Sequence, residues 1–143
     1  MLHHFCVFSI TVNPFRGFSN TLHPTVRRAD IAIAGFALTN QRSLEVCDDM
    51  IEQMREIKPD VIMVAVGDRI DHLKYERQVT EEFAREHFAK MQPPIEYFET
   101  YAKAGEGVNE LFEAAIRLWI NANLKPSPEQ LAVDRPTSWC RIM

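Results

Sequence analysis

Two short stretches of this 143-residue sequence carry side chains whose types and spacing suit the capture of a small polar group. Val64-Ala-Val-Gly-Asp-Arg-Ile-Asp71 sets two carboxylates, Asp68 and Asp71, around the cation Arg69, directly after an apolar run. Glu99-Thr-Tyr-Ala-Lys-Ala-Gly105 follows another candidate strand and ends on glycine. A carboxylate in such a turn can accept two hydrogen bonds from a planar edge bearing adjacent N–H groups, and stranding it unpaired is costly. A guanidinium two positions earlier can lie flat along a ring. Gly and Asp are also common in solvated strand-to-helix turns, so either stretch alone has a bland explanation.

The chain end, Cys140-Arg-Ile-Met143, matches the C-a-a-X prenylation pattern, and Met favours farnesyl. Arg141 stands where an aliphatic residue is usual, and the tail's basic residues are Lys125, Arg135 and Arg141. One lipid without a polybasic patch gives reversible membrane binding. The remaining candidates carry little chemistry. His3-His4 has no partner ligands at metal spacing, so no metal site is expected. His23 and His72 fall in loops, His87 falls on a helix face, and none has a catalytic triad around it; no catalytic residue is assigned. Cys47 reads as core, Cys6 as part of an apolar run, Met50 and Met54 as packing, and Asp48-Asp49 as a solvated helix face.

The elements that must position these residues are legible from Asp30 onward. Ile31–Ala37 and Val61–Val66 are nearly continuous apolar runs, as expected of strands buried on both faces. Between them Leu44, Cys47, Met50, Ile51, Met54 and Ile57 recur at helical spacing, with Ser43 as the expected N-cap and Pro59-Asp60 as the stop. A polar loop runs to Val79. Thr80 with Glu81 and Glu82 starts a second helix with Phe83, Ala84, His87, Phe88 and Met91 on its apolar face, ended by Pro93-Pro94. Ile95–Thr100 alternates as a strand, Gly105 and Gly107 bracket a turn, and Val108, Leu111, Phe112, Ala115, Leu118, Trp119 and Ala122 line a final helix. Strand, helix, strand, helix, strand, helix predicts an α/β fold: a parallel sheet of three clear strands with right-handed crossovers and flanking helices. Ligands in such sheets sit beyond the carboxyl ends of the strands, where both chemical stretches fall.

Composition bounds the function. A net charge of −4 and a pI near 5.7 argue against a general nucleic-acid binder. Three cysteines are too few for a disulfide framework, so a reducing, cytoplasmic setting is the default. Residues 1–42 carry a net +3, residues 43–143 a net −7, and the first 29 residues hold no Asp, Glu or Lys. The expected organisation is a divergent or shortened segment over 1–29, a domain over 30–123, and a flexible tail over 124–143. Phe5–Val12 is rich in aromatic and β-branched residues and could fill a sheet edge.

The two chemical stretches resemble a signature pair of the Ras superfamily of small GTPases: Val66-Gly-Asp-Arg-Ile-Asp71 is similar to V-G-N-K-x-D, and Glu99-Thr-Tyr-Ala-Lys-Ala-Gly105 to E-T-S-A-K-x-G. Gly107-Val-Asn-Glu-Leu-Phe112 resembles the family's G-V-x-E-L-F, and Arg28-Ala-Asp30, Phe36–Asn40 and Ser43-Leu-Glu45 fit its central strand and next helix. The resemblance covers about residues 25–123 and implies a partial Ras-like fold. It implies that Asp71 pairs with guanine N1–H and its amine, that Arg69 stacks on the base, and that the Ala102 N–H meets O6, with Asp68, Tyr101 and Lys103 beside them. It further implies GTP or GDP as ligand, Mg²⁺ in the family, effector or regulator proteins as partners, and attachment to the inner face of a membrane through a farnesyl on Cys140.

Departures from the pattern matter as much. Asp68 replaces an Asn; when ionised it cannot donate a hydrogen bond, and it adds a negative charge near Asp71. Tyr101 replaces a Ser and cannot make the same short hydroxyl bond. No G-x-x-x-x-G-K-[ST] occurs in the sequence, and no D-x-x-G precedes the first clear strand. One βαβ unit takes roughly 30 residues and only 29 precede Asp30, so the sequence reads as the carboxyl-terminal portion of a Ras-like domain, without Mg²⁺ ligands and with impaired GTP hydrolysis. Two other readings stand beside it: a nucleotide-free pseudo-GTPase serving as a protein-interaction module, and an unrelated parallel α/β protein such as a receiver-like domain.

Overall fold

The apolar run from Val61 becomes the middle strand of a parallel sheet, covered on both faces. Ile31–Ala37, expected to be buried on both, alternates: Ala34 and Phe36 are buried while Ile33 and Gly35 are exposed on the other face. The computed structural model describes residues 22–69 and 74–124. Its elements run α1 (Leu22–Arg28), β1 (Ile31–Ala37), α2 (Gln41–Ile57), β2 (Ile62–Asp68), α3 (Glu81–Ala89), β3 (Glu96–Thr100), a 3₁₀ turn (Ala102–Ala104) and α4 (Val108–Asn123). The sheet has three parallel strands in the order β1-β2-β3, with Ala37 opposite Asp68 and Asp68 opposite Thr100. The expected α/β architecture, parallel and flanked by helices, is the one observed.

Helices cover the two faces unequally. On one face α1, α2 and α3 press Val26, Leu44, Cys47, Ile51, Met54, Ala84 and Phe88 onto Ala34, Phe36, Ala65 and Tyr97. On the other, α4 lays Leu111 and Ala115 over Val64, with Ile31, Val66, Phe98 and Leu118 around them. Phe88 is fully buried, its ring 6.0 Å from Phe36 and 5.5 Å from Tyr97. Between α2 and α3, His87 Nε2 lies 2.9 and 3.0 Å from the two carboxylate oxygens of Asp48, so Asp48 is tied to α3 rather than simply solvated.

Several details differ from the sequence-based expectation. Helix α2 starts a turn earlier than Ser43: Asn40 is the N-cap, its Oδ1 accepting from Ser43 N–H at 3.3 Å. Asn caps as well as Ser does, and Ser43 instead uses its hydroxyl on the backbone of Ala37 and Asn40. Phe83 is 52% exposed and stacks on His87, because the buried stripe of this nine-residue helix is Ala84 and Phe88. Phe112 is 37% exposed, while Ala114 is buried in its place. Helix α1 falls where no element was expected: seven residues with Pro24 in the first turn, anchored by buried Val26. The candidate strand Phe5–Val12 and the tail from Lys125 lie outside the described residues.

Phe88→Ala should cost about 3–5 kcal/mol by urea unfolding, against under about 1 kcal/mol for the exposed Phe83→Ala. Alkaline pH should destabilise the fold. Burial, then the neighbouring Asp48, pushes the Cys47 thiol from 9.0 up to about 12. Burial, then the hydrogen bond with Glu99, raises the Tyr97 phenol. The unfolded chain gives up both protons at lower pH than the folded chain does. Stability is therefore full below about pH 9 and is lost progressively above it. Unfolding midpoints measured upward from about pH 8 should fall, and Tyr97→Phe should flatten the later part of the decline.

Candidate functional site

The two chemical stretches meet because parallel pairing puts the ends of β2 and β3 side by side. The ladder continues one residue past the strands, with Arg69 N–H donating to Thr100 O at 2.9 Å. Beyond it the chain closes on itself. Tyr101 and Glu106 exchange backbone bonds of 3.0 and 3.2 Å around the 3₁₀ turn, and Ala104 and Gly105 N–H donate back to Tyr101 and Ala102 carbonyls. Gly105 and Gly107 take the left-handed φ values of 76° and 72° that let the chain reverse. At Gly107 a Cβ would sit 2.2 Å from the Glu99 carbonyl oxygen; at Gly105 it would meet nothing within 4 Å.

Asp68, Arg69, Tyr101, Ala102 and Lys103 thus share one end of the sheet. Ala102 and Lys103 are exposed, whereas Asp68, Arg69 and Tyr101 are half-buried. The Arg69 guanidinium lies 6.0 Å from the centre of the Tyr101 ring and pairs with Glu106 at 2.7 Å. Asp71 and Cys140 lie outside the described residues.

Three residues organise this end without having been singled out in the sequence. Glu99, well shielded on β3, accepts from the Tyr97 hydroxyl at 2.9 Å and takes both terminal nitrogens of Arg77. That bidentate bridge raises the Arg77 pKa through its hydrogen bond to Glu99. Arg77 Nε also donates to Val79 O at 2.6 Å. The Leu38 carbonyl accepts from both Gln78 and Val79, and the Gln78 side chain accepts from Gln41 N–H. The segment after β2 is thereby stitched to the turn after β1 and to β3. Glu106, the partner of Arg69, is the third. Glu99 lay inside a quoted motif; Arg77 and Glu106 had no periodicity or motif to mark their pairing.

A groove of about 710 Å³ runs from these turns across the α4 face of the sheet. Asp68, Thr100 and Ala102 line one end, Asn40, Arg42 and Ser43 the other, and Val66, Leu111 and Phe112 lie between. Among the described residues, no group of His, Cys, Asp or Glu could hold a metal ion. Nor, among them, is any helix long and apolar enough to cross a membrane.

A family model described as "Ras: Ras family" matches residues 16–121. Over 89 residues the chain is 36% identical to "GTP-binding protein ypt5" of Schizosaccharomyces pombe, covering 62% of this chain and 41% of that protein. It is 34% identical over 87 residues to "Ras-related protein RabJ" of Dictyostelium discoideum, covering 60% of this chain and 33% of that one. The chain therefore matches less than half the length of either relative.

The glycine pair makes a direct test of the turn. Gly105→Ala should cost about 1–2 kcal/mol for left-handed backbone alone. Gly107→Ala, which adds a backbone clash, should cost about 3 kcal/mol or more and shift the amide resonances of Thr100–Lys103. Thermal unfolding and amide spectra of the two variants check the contrast.

Proposed function

The chain belongs to the Ras family of small GTPases, and from that premise we propose that its β2 and β3 turns recognise the guanine of GTP or GDP. The observation that carries the reading is the bond from Arg69 N–H to Thr100 O, which holds the two turns in register at one end of the sheet. In this reading Asp71 accepts from guanine N1–H and the exocyclic amine, the edge that adenine lacks. Arg69 lies along the base, the Ala102 N–H meets O6, and Asp68, Tyr101 and Lys103 border the base. One relative's description as a GTP-binding protein supports the assignment.

The phosphate half is less well supplied. Arg42 brings a cation to the far end of the groove, but the sequence holds no glycine-rich G-x-x-x-x-G-K-[ST] to wrap phosphates with amides. Mg²⁺ is usually held by one or two carboxylates together with substrate phosphates, and among the described residues no group of three or more His, Cys, Asp or Glu gathers to hold it without them. GTP hydrolysis by these residues alone is accordingly impaired, and the role is that of a signal-transduction switch meeting effector or regulator proteins. Farnesylation of Cys140 would place it at the inner face of a membrane, peripheral and reversible.

A second reading has its own observation. Arg69 is already engaged by Glu106 and Tyr101, where a base would need it. A pseudo-GTPase would keep that arrangement and bind a protein partner without nucleotide.

Titration with fluorescent guanine and adenine nucleotides separates the two. Guanine recognition predicts a preference over adenine of at least about tenfold, with a dissociation constant weaker than about 1 μM. Asp71→Ala should weaken binding a further tenfold or so by removing charge-assisted hydrogen bonds. Equal binding of the two bases would sink the guanine assignment, and micromolar or tighter affinity would refute the impaired phosphate half. Partner binding indifferent to added GTP would support the pseudo-GTPase.

A further inference from the structure

Two ion pairs stand at this end of the sheet, and they differ in kind. Arg77 and Glu99 meet where the carboxylate side chain is 13% exposed, and their bridge is part of the fold. Arg69 and Glu106 meet in the open, with side chains 36% and 58% exposed. A pair so exposed is weak and exchanges readily for another partner. Its two members nevertheless stand on fixed backbone. Arg69 N–H is bound to Thr100 O, and Glu106 is bound to Tyr101 through both its N–H and its carbonyl. Gly105 and Gly107, both left-handed, flank Glu106 in the chain. The same guanidinium lies over the Tyr101 ring, 6.0 Å from its centre. One turn thus offers Arg69 a flat π surface and an anion, the two partners that a guanidinium takes most readily. The ring is also where this sequence departs from E-T-S-A-K-x-G, in which the place of Tyr101 is a serine.

We propose that Tyr101 and Glu106 form a latch on the base site: they hold the Arg69 guanidinium in place of a base, and a purine takes it only when the pair with Glu106 has opened. The latch rests on the guanine assignment above and adds a regulation to it. The bond to Glu106 draws the guanidinium to the β3–α4 turn and sets its plane on the Tyr101 ring. A base laid on Arg69 must set that plane itself. Ligand-free molecules therefore divide between latched and open, and the apparent dissociation constant is the intrinsic one divided by the open fraction. Weakening the latch raises that fraction and tightens binding. Glu106 acts through Arg69 and not on the base, so the sign of its effect is diagnostic. A brace that aimed Arg69 at the base would do the opposite, since its loss would loosen binding. The exchange is reciprocal: a base that takes Arg69 frees the Glu106 carboxylate, and a cation that takes Glu106 from solvent frees Arg69 for the base.

Titration of the full chain with guanosine and adenosine, followed by amide chemical shifts, tests the latch with probes that carry no charge. Glu106→Gln keeps the size of the side chain and removes its charge; guanosine should bind about two- to fivefold tighter. Tyr101→Ser removes the ring and should give a similar gain, and the two changes together about tenfold. Glu110→Gln removes an equal charge from an exposed position in the first turn of α4 and should leave guanosine binding unchanged. Without nucleoside, the Arg69 Nε–H resonance should move in Glu106→Gln; a resonance that stays in place overturns the latch. So does guanosine binding that is unchanged or weaker in Glu106→Gln while the unaltered chain still prefers guanosine to adenosine, and in that case the guanine assignment stands. An equal gain from Glu110→Gln would assign the effect to the general field of the protein and refute the latch. No preference for guanosine in any variant removes the guanine assignment and the latch together. If Tyr101→Ser unfolds the chain, Glu106→Gln decides alone.

Discussion

Glu99 is the residue on which the working end of this molecule depends. Its carboxylate is shielded, and a shielded charge is tolerated only when it is paired and its oxygens are satisfied. Arg77 supplies the pairing and the Tyr97 hydroxyl a further donor, while the Leu38 carbonyl secures the segment that carries Arg77. The result is that turns following three different strands are fastened to one another rather than left to fold separately. Tyr97 also stands in the aromatic stack with Phe36 and Phe88, so the polar fastening and the apolar core share a side chain. Removing Glu99 would disturb both at once.

The second constraint is the crowding at Gly67 and Gly107. A Cβ at Gly67 would fall 2.4 Å from the Tyr97 hydroxyl and 2.6 Å from Leu38. A Cβ at Gly107 would fall on the Glu99 carbonyl. Both glycines exist to let backbone approach the Glu99 region closely, one from β2 and one from the start of α4. The glycines that mark the turns in the sequence are thus part of the same local arrangement as the ion pair.

Much of this was legible in the sequence, for identifiable reasons. Ile31–Ala37 and the run from Val61 read as strands because both are short, nearly continuous apolar runs bounded by polar residues, although only the second is covered on both faces. Helix α2 read clearly because its buried positions Leu44, Cys47, Ile51 and Met54 face a polar side. Its first turn was missed because Asn40 and Ser43 are both good caps, and only tertiary use of the Ser43 hydroxyl chooses between them. Helix α1 was missed because seven residues with an early proline give no period to detect. Phe83 and Phe112 fit the helical period yet stay exposed, because period identifies a face and not the element that covers it. The pairs Arg77–Glu99 and Arg69–Glu106 join residues 22 and 37 apart, and no local pattern announces such partners.

The β3–α4 turn is already shaped before anything meets it. Its hydrogen bonds between Tyr101 and Glu106, and the left-handed Gly105 and Gly107, fix its backbone at the moment of folding. The entropy of ordering that loop is spent once, in the monomer, instead of at each encounter. A molecule docking at this turn therefore finds a rigid template, and its rate of capture is governed by diffusion and orientation rather than by waiting for the loop to rearrange.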